Sequence, residues 1–133
     1  MIEDQTVLEA KRIGVFSCKI GTTLGDAARY MVSEDVSALV VTDEEGCLAG
    51  IITRTDLLRA LLASSAWEVH TIDEYMIVDV VTVSPQTRLS QVAELLLQKH
   101  IHRVVVVRDD DGKSSPISVV SAGDLVYHMV KNM

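Results

Sequence analysis

Apolar residues recur along this chain in two periods, and the two alternate. Leu24, Ala27, Ala28, Met31 and Val32 stand at the i, i+3, i+4, i+7, i+8 spacing of one helical face, which predicts a helix over 24–34. Short apolar runs follow at 37–42 and 48–53, split by the acidic stretch "DEEG" at 43–46, which reads as a hairpin turn between two strands. A second helical pattern occupies 55–64. A short strand before residue 24 completes a β-α-β-β-α order.

The same order then occurs again. Aligning "VFSCKIGTTLGDAARYMVSEDVSALVV" from Val15 with "VVTVSPQTRLSQVAELLLQKHIHRVVV" from Val80, at an offset of 65, matches Leu24 with Leu89, Ala28 with Ala93, Met31 with Leu96, Val36 with Ile101 and Leu39 with Val104. The second copy predicts a helix over 89–99, strands over 103–108 and 116–121, a turn at "DDDG" (109–112) and a helix over 123–131. It gains three residues before its last strand, so "GIITRTDL" meets "SVVSAGDL" at an offset of 68; the extra length falls in "DGKSSP", a loop composition. The segment "SSAWEVHTIDEYM" reads as connector and lead-in helix. The division is residues 1–66, a first repeat with an N-terminal lead-in helix, and 67–133, a second repeat. The expected fold class is α+β, two repeats packed sheet to sheet about a pseudo-twofold axis, because a copy of about 60 residues buries little surface alone.

Composition narrows the possible functions. With 133 residues, 48% of them apolar and only 4% aromatic, the chain can bury a core built of branched aliphatic side chains. A net charge of -7 and no basic stripe argue against a nucleic-acid partner. No apolar run is long enough to span a bilayer, and the N-terminus has acids where a signal peptide has its basic start, so no membrane association and a cytoplasmic location are expected. Cys18 and Cys47 form no CxxC and read as ordinary reduced thiols. His100 and His102 are read two apart on a strand edge, but no carboxylate or cysteine pattern completes a metal site with them. There is no GxSxG nucleophile motif, and no enzyme chemistry is expected.

With the duplicated order and the stretches "GIITRTDLL", "VVTVSPQTRLSQVAELL" and "IHRVVVV", the chain resembles a tandem pair of CBS domains, the Bateman module. "VSALVV" and "IHRVVVV" are also similar to the adenine-nucleotide-binding repeats of the AMP-activated protein kinase gamma subunit. The resemblance covers nearly the whole chain. It implies a regulatory protein that needs no cofactor and binds an adenosine compound (AMP, ADP, ATP or S-adenosylmethionine) in clefts between the repeats. Departures from the family pattern are Ser118 where the first copy has Gly50, Gly123 where it has Thr55, and Val40 and Val105 where many members have proline. The serine is expected to crowd one pocket.

The candidate site residues follow from that resemblance. Asp56 and Asp124 are implied to take the ribose hydroxyls, an arrangement in which a carboxylate accepts two charge-assisted hydrogen bonds. Thr53, Thr55 and Ser121 are implied to lie towards the phosphate, beside the backbone N–H groups of the following helix. Thr53-x-x-Asp56 and Ser121-x-x-Asp124 also have the spacing of a helix capping box, so on spacing alone a cap and a ligand grip both remain open. Arg103 and His102 form the basic pair the resemblance puts beside a phosphate, with Val36 and Ser37 lining the Asp124 cleft from the opposite copy. Phe16, Val81, Ile51 and Val119 are the implied adenine slot. The apolar surface of "LLRALLASSAW" suggests a homodimer, and a sensor without an effector domain implies a regulated protein partner. The alternative is an interaction module that dimerises or docks another protein with no nucleotide bound.

Overall fold

The computed structural model of the chain describes residues 2–10 and 14–133. Its helices and strands are α1 (Val7–Ala10), β1 (Ser17–Lys19), α2 (Leu24–Glu34), β2 (Ala38–Thr42), β3 (Leu48–Thr53), α3 (Arg54–Ala63), β4 (Thr82–Val83), α4 (Leu89–Lys99), β5 (Arg103–Asp110), β6 (Lys113–Ser121) and α5 (Ala122–Lys131). They form two three-stranded sheets, β1-β2-β3 and β4-β5-β6. In each, the first strand runs parallel to the middle one and the hairpin is antiparallel. The fold class is α+β, as the sequence pattern predicts.

Packing divides the chain differently from the repeats. One compact unit is Phe16–Val80; the other joins the described residues up to Val15 to Val81–Met133. The division at 66/67 follows sequence similarity, whereas each compact unit is closed by a segment from outside its own β-α-β-β-α stretch. In the first unit that segment is the connector. Its backbone pairs with the turn before α2 (Leu24 N–H to His70 C=O, Ile72 N–H to Thr22 C=O) and with β3, where Ile51 and Ile77 exchange both hydrogen bonds. Ile72 is thereby wholly buried among Leu24, Ala27, Met31, Leu39, Val41, Ile52 and Ala60. The connector forms two 3-10 turns, Trp67–Val69 and Ile72–Glu74, where a lead-in helix was predicted. Its local hydrogen bonds close only these single turns, and the groups between and after them pair with Thr22, Leu24 and Ile51 of the neighbouring segments. In the second unit α1 does the same work: Val7 joins Leu89, Val92, Leu96, Val104, Val106, Val120 and Leu125, and Val7 N–H and Leu8 N–H donate to Thr87 and Pro85 carbonyls.

The long helices match the pattern that predicts them. Thr23 caps α2 by accepting from Asp26 N–H, and both α2 and α4 close on a left-handed residue, Asp35 and its repeat equivalent His100. His100 is therefore a helix cap and not a strand-edge residue, and His102 lies in the loop before β5. Leu24, Ala27 and Met31 are buried, but Val32 is 82% exposed because it lies at the margin of the apolar stripe. Burying one Leu or Val side chain fully contributes about 1.5–3 kcal/mol, so the stripe holds each helix to its sheet.

The two hairpins differ. Asp43 organises the first loop: its Oδ1 accepts from the N–H groups of Glu45 and Cys47. In the second, Asp111 and Gly112 both have positive φ, the geometry of a two-residue type I′ turn, and the strands pair up to Asp110 and Lys113. The predicted "DGKSSP" loop is thus mostly strand. Pro116 is tolerated there because β6 is an edge strand and the ladder shifts register between Val106 and Val107, opposite it.

Candidate functional site

Each unit brings its predicted residues to one end of its sheet. In the second unit Arg103 opens β5 directly opposite Ser121, the last residue of β6. The His102 carbonyl accepts from Ala122 N–H at 2.9 Å, fixing the start of α5 beside the start of β5. Ser121 is the N-cap of α5. Its N–H donates to Asp124 Oδ2 at 2.8 Å, its hydroxyl donates to the same oxygen at 3.1 Å, and Asp124 N–H donates back to Ser121 Oγ at 3.1 Å. Val105 is flanked by Val119 across the hairpin and by Val81, whose carbonyl accepts its N–H.

The first unit repeats this plan. Ala38 stands opposite Thr53, and the Ser37 carbonyl accepts from Arg54 N–H at 3.1 Å. Val40 is flanked by Ile51 and by Phe16, whose carbonyl accepts its N–H; the Phe16 ring meets Tyr30 edge to face. Val36, just past α2, is half-buried and donates its N–H to Met31. Thr53 caps α3: its N–H and hydroxyl donate to Asp56 Oδ2 at 2.8 and 2.9 Å, and Asp56 N–H donates to Thr53 Oγ1 at 3.3 Å. Thr55 is exposed in the first turn of that helix. Both hydroxyl-x-x-carboxylate motifs are therefore complete capping boxes.

The two aspartates sit in different surroundings. Asp56 is 2% exposed, and its other oxygen, Oδ1, accepts from Arg59 Nη1 at 2.9 Å; the Arg59 side chain is 66% exposed. Asp124 is half-buried, and the repeat position of Arg59 is Tyr127. Arg59 was missed by sequence reasoning, although its i, i+3 spacing from Asp56 on a helix is a usable signal. Arg54 was missed too; it reaches Asp35 at 3.7 Å across an exposed surface, a contact worth little in water.

Gly50 has a packing role of its own. A Cβ there would lie 2.7 Å from the Ile77 carbonyl oxygen and 2.8 Å from Met76 Sδ, so the glycine admits the connector across β3. Cys18 is half-buried, and burial pushes its thiol from 9.0 up to about 11, which leaves it protonated at neutral pH and unsuited to be a nucleophile. Among the described residues no three or more His, Cys, Asp or Glu side chains cluster to hold a metal ion, and no helix is long and apolar enough to cross a membrane.

A duplicated three-stranded unit, each copy ending in a hydroxyl-capped helix with an aspartate in its first turn, is a tandem α+β repeat. The sequence model of the CBS domain family matches residues 10–63 and 72–131, and the chain belongs to that family. It is 31% identical over 118 residues to the CBS domain-containing protein CBSX3, mitochondrial, of Arabidopsis thaliana, covering 85% of this chain and 55% of that protein. It spans 38% and 32% of two further curated relatives, so the matched region is only part of each of those proteins. Among solved structures it is similar to the CBS domain pair of protein MJ0100 in complex with 5′-methylthioadenosine and S-adenosyl-L-methionine (TM-score 0.83, 25% identity, 97% of this chain and 98% of that one). It is also similar to a putative acetoin utilization protein, AcuB, of Vibrio cholerae (TM-score 0.84, 25% identity, 96% and 92%).

Proposed function

We propose that this CBS pair is a regulatory module that binds an adenosine nucleotide of the AMP, ADP or ATP class and passes the signal to a protein partner without catalysing a reaction. The observation that carries the reading is the convergence, at the start of α5, of Arg103, the Ser121 hydroxyl and the Asp124 carboxylate beside the Val81–Val105–Val119 row. That set offers an apolar surface for a base, a carboxylate for ribose hydroxyls, and a guanidinium and hydroxyl for phosphate, the division of labour an adenosine nucleotide needs. In the first repeat Phe16 and Ile51 offer the base contact, Asp56 the sugar contact, and Thr53 and Thr55 hydroxyls towards the phosphate, but Ala38 stands where Arg103 stands in the second. The likeness to the MJ0100 pair supports an adenosine-type ligand, including S-adenosylmethionine. The cap and the grip are compatible, because the capping box engages one carboxylate oxygen and a carboxylate has two.

Isothermal titration with AMP, ADP, ATP and S-adenosylmethionine tests this. Asp124→Ala is expected to weaken binding by about 1.5–3 kcal/mol, since hydrogen bonds to a charged group are lost. Asp124→Asn preserves a capping acceptor but not the charge, and is expected to weaken binding with little change in melting temperature. No heat from the folded wild-type protein with any of the four ligands would sink the reading.

A second reading has its own observation. Leu58, Leu61 and Leu62 on α3, and their repeat equivalents Val126, Met129 and Val130 on α5, are all exposed at i, i+3, i+4 spacing. Matching stripes of this kind suit homodimerisation through these helices, a role the pair can have with or without nucleotide.

A further inference from the structure

Four consecutive residues of β3 have four different tasks. Thr53 caps α3, Ile52 lies in the core of the first unit, Ile51 is the buried residue assigned above to the base, and Gly50 admits the connector. Side chains alternate along a strand, so Ile51 and Thr53 share one face, while Ile52 and any Cβ placed on Gly50 point to the other. β3 is an edge of its sheet, and the connector covers that edge at one residue. Ile51 N–H donates to the Ile77 carbonyl at 2.9 Å, and Ile77 N–H donates back to the Ile51 carbonyl at 2.8 Å. The approach depends on Gly50, where a Cβ would lie 2.7 Å from that Ile77 carbonyl oxygen. Docking of the connector is firm at its start and weakens along its length. Ile72 is wholly buried and Asp73 Oδ1 accepts from Gly21 N–H at 3.1 Å, whereas Ile77 and Val78 are exposed.

Resting on the nucleotide reading above, we infer that Ile77 is a positioning residue for the base slot of the first repeat, and that filling this slot and docking the connector end are coupled. The exchanged backbone pair fixes Ile51 on its strand. When Ile77 lifts, while Ile72 stays in the core, the Ile51 N–H and C=O turn to water and the edge that presents Ile51 and Thr53 loosens; such local opening is cheapest where a segment buries little. A ligand held by Ile51 and Asp56 binds the docked form better, so it shifts the equilibrium towards docking by its difference in affinity for the two forms. Linkage makes this reciprocal: the factor by which docking tightens the ligand is the factor by which the ligand tightens docking. Ile77 acts through Ile51 and does not contact the ligand. Occupancy of the first repeat is thereby reported by the connector end, which continues along the chain into β4.

The test follows amide hydrogen exchange of Ile51 and Ile77 by NMR with and without adenosine, in an Asp124→Ala background that isolates the first repeat. Amides of the β5–β6 hairpin serve as the baseline for any change in global stability. Adenosine is expected to slow Ile51 and Ile77 by about fivefold or more beyond that baseline, the lower end of ordinary coupling between sites. Two variants then lift the connector end from opposite sides. Gly50→Ala adds a Cβ on the face away from the Ile51 side chain, and Ile77→Pro removes the N–H that Ile51 accepts. Each should weaken adenosine binding by the same factor, with melting temperatures recorded beside the affinities. If adenosine binds and is lost on adding Asp56→Ala, yet leaves Ile51 and Ile77 exchanging at the baseline rate, the positioning role is overturned and the ribose reading stands. Unchanged affinity in Gly50→Ala and Ile77→Pro, with both amides exchanging faster, overturns it in the same way. If neither the wild-type protein nor the Asp124→Ala protein binds adenosine, the ribose reading falls and this inference with it.

Discussion

The two repeats share a ladder, a capping box and an apolar row, and differ in what completes each of them. The first is closed by the connector after it in the chain, the second by α1, which lies ahead of the first repeat. Ile72 and Val7 occupy corresponding roles in the two cores although neither belongs to a β-α-β-β-α repeat. The comparison teaches that a duplicated sequence need not give two self-sufficient folding units. Each copy of about 60 residues leaves an apolar surface that a flanking segment covers, as expected where so short a chain buries too little of itself.

The sharpest way to break that comparison is to empty the two flanking core positions. Ile72→Ala should cost about 3 kcal/mol and Val7→Ala about 2 kcal/mol in urea unfolding, the transfer loss plus the residual cavity. A loss below about 1 kcal/mol for Ile72→Ala would mean that the connector drapes over the first unit without completing its core.

The same comparison shows which features were legible in the amino-acid sequence alone. The bounds of α2 and α4 follow from a 3.6-residue period of apolar positions, information that is local. Both hydroxyl-x-x-Asp motifs were legible for the same reason, and the structure makes each of them a cap. The connector was not, because residues 70–77 take their form from hydrogen bonds to Thr22, Leu24 and Ile51, partners no local pattern announces. Exposed Val32 marks the limit of the periodic argument: a residue on the edge of a stripe is placed by its neighbours. The loop reading of "DGKSSP" failed because Asp111-Gly112 makes the tightest hairpin turn available, so pairing runs on through Pro116. Arg59 lies one helical turn beyond the hydroxyl-x-x-Asp motif, and its contact with Asp56 depends on side-chain placement that spacing alone does not fix.

A smaller effect separates the two aspartates. Asp56→Ala removes a buried acceptor of three donors and should cost about 2 kcal/mol, whereas Asp124→Ala, at a half-buried site, should cost about 1 kcal/mol, near the usual value of a helix cap. Thermal unfolding of the two variants side by side checks it. Equal losses would show that the deeper burial of Asp56 does not set the two caps apart in stability.

The smallest difference lies in the first strands. Cys18, at the centre of β1, pairs with Val41, and its repeat equivalent Val83 pairs with Val106. Burial raises the Cys18 thiol from 9.0 to about 11, so the folded state holds its proton over a range in which the unfolded chain has already lost it. The native state then binds more protons than the unfolded one, and stability must fall as pH rises. The contribution is fully present below pH 9.0 and is lost through about 11. Cys18→Val places the second repeat's residue in the first strand. It should leave neutral-pH stability within about 1.5 kcal/mol, as conservative apolar exchanges do. It should also reduce the alkaline loss seen in urea unfolding at about pH 7.5 and about pH 10, conditions chosen to bracket the titration. An alkaline loss of the same size in Cys18→Val would assign it to other groups and leave the two first strands equivalent in their response to pH.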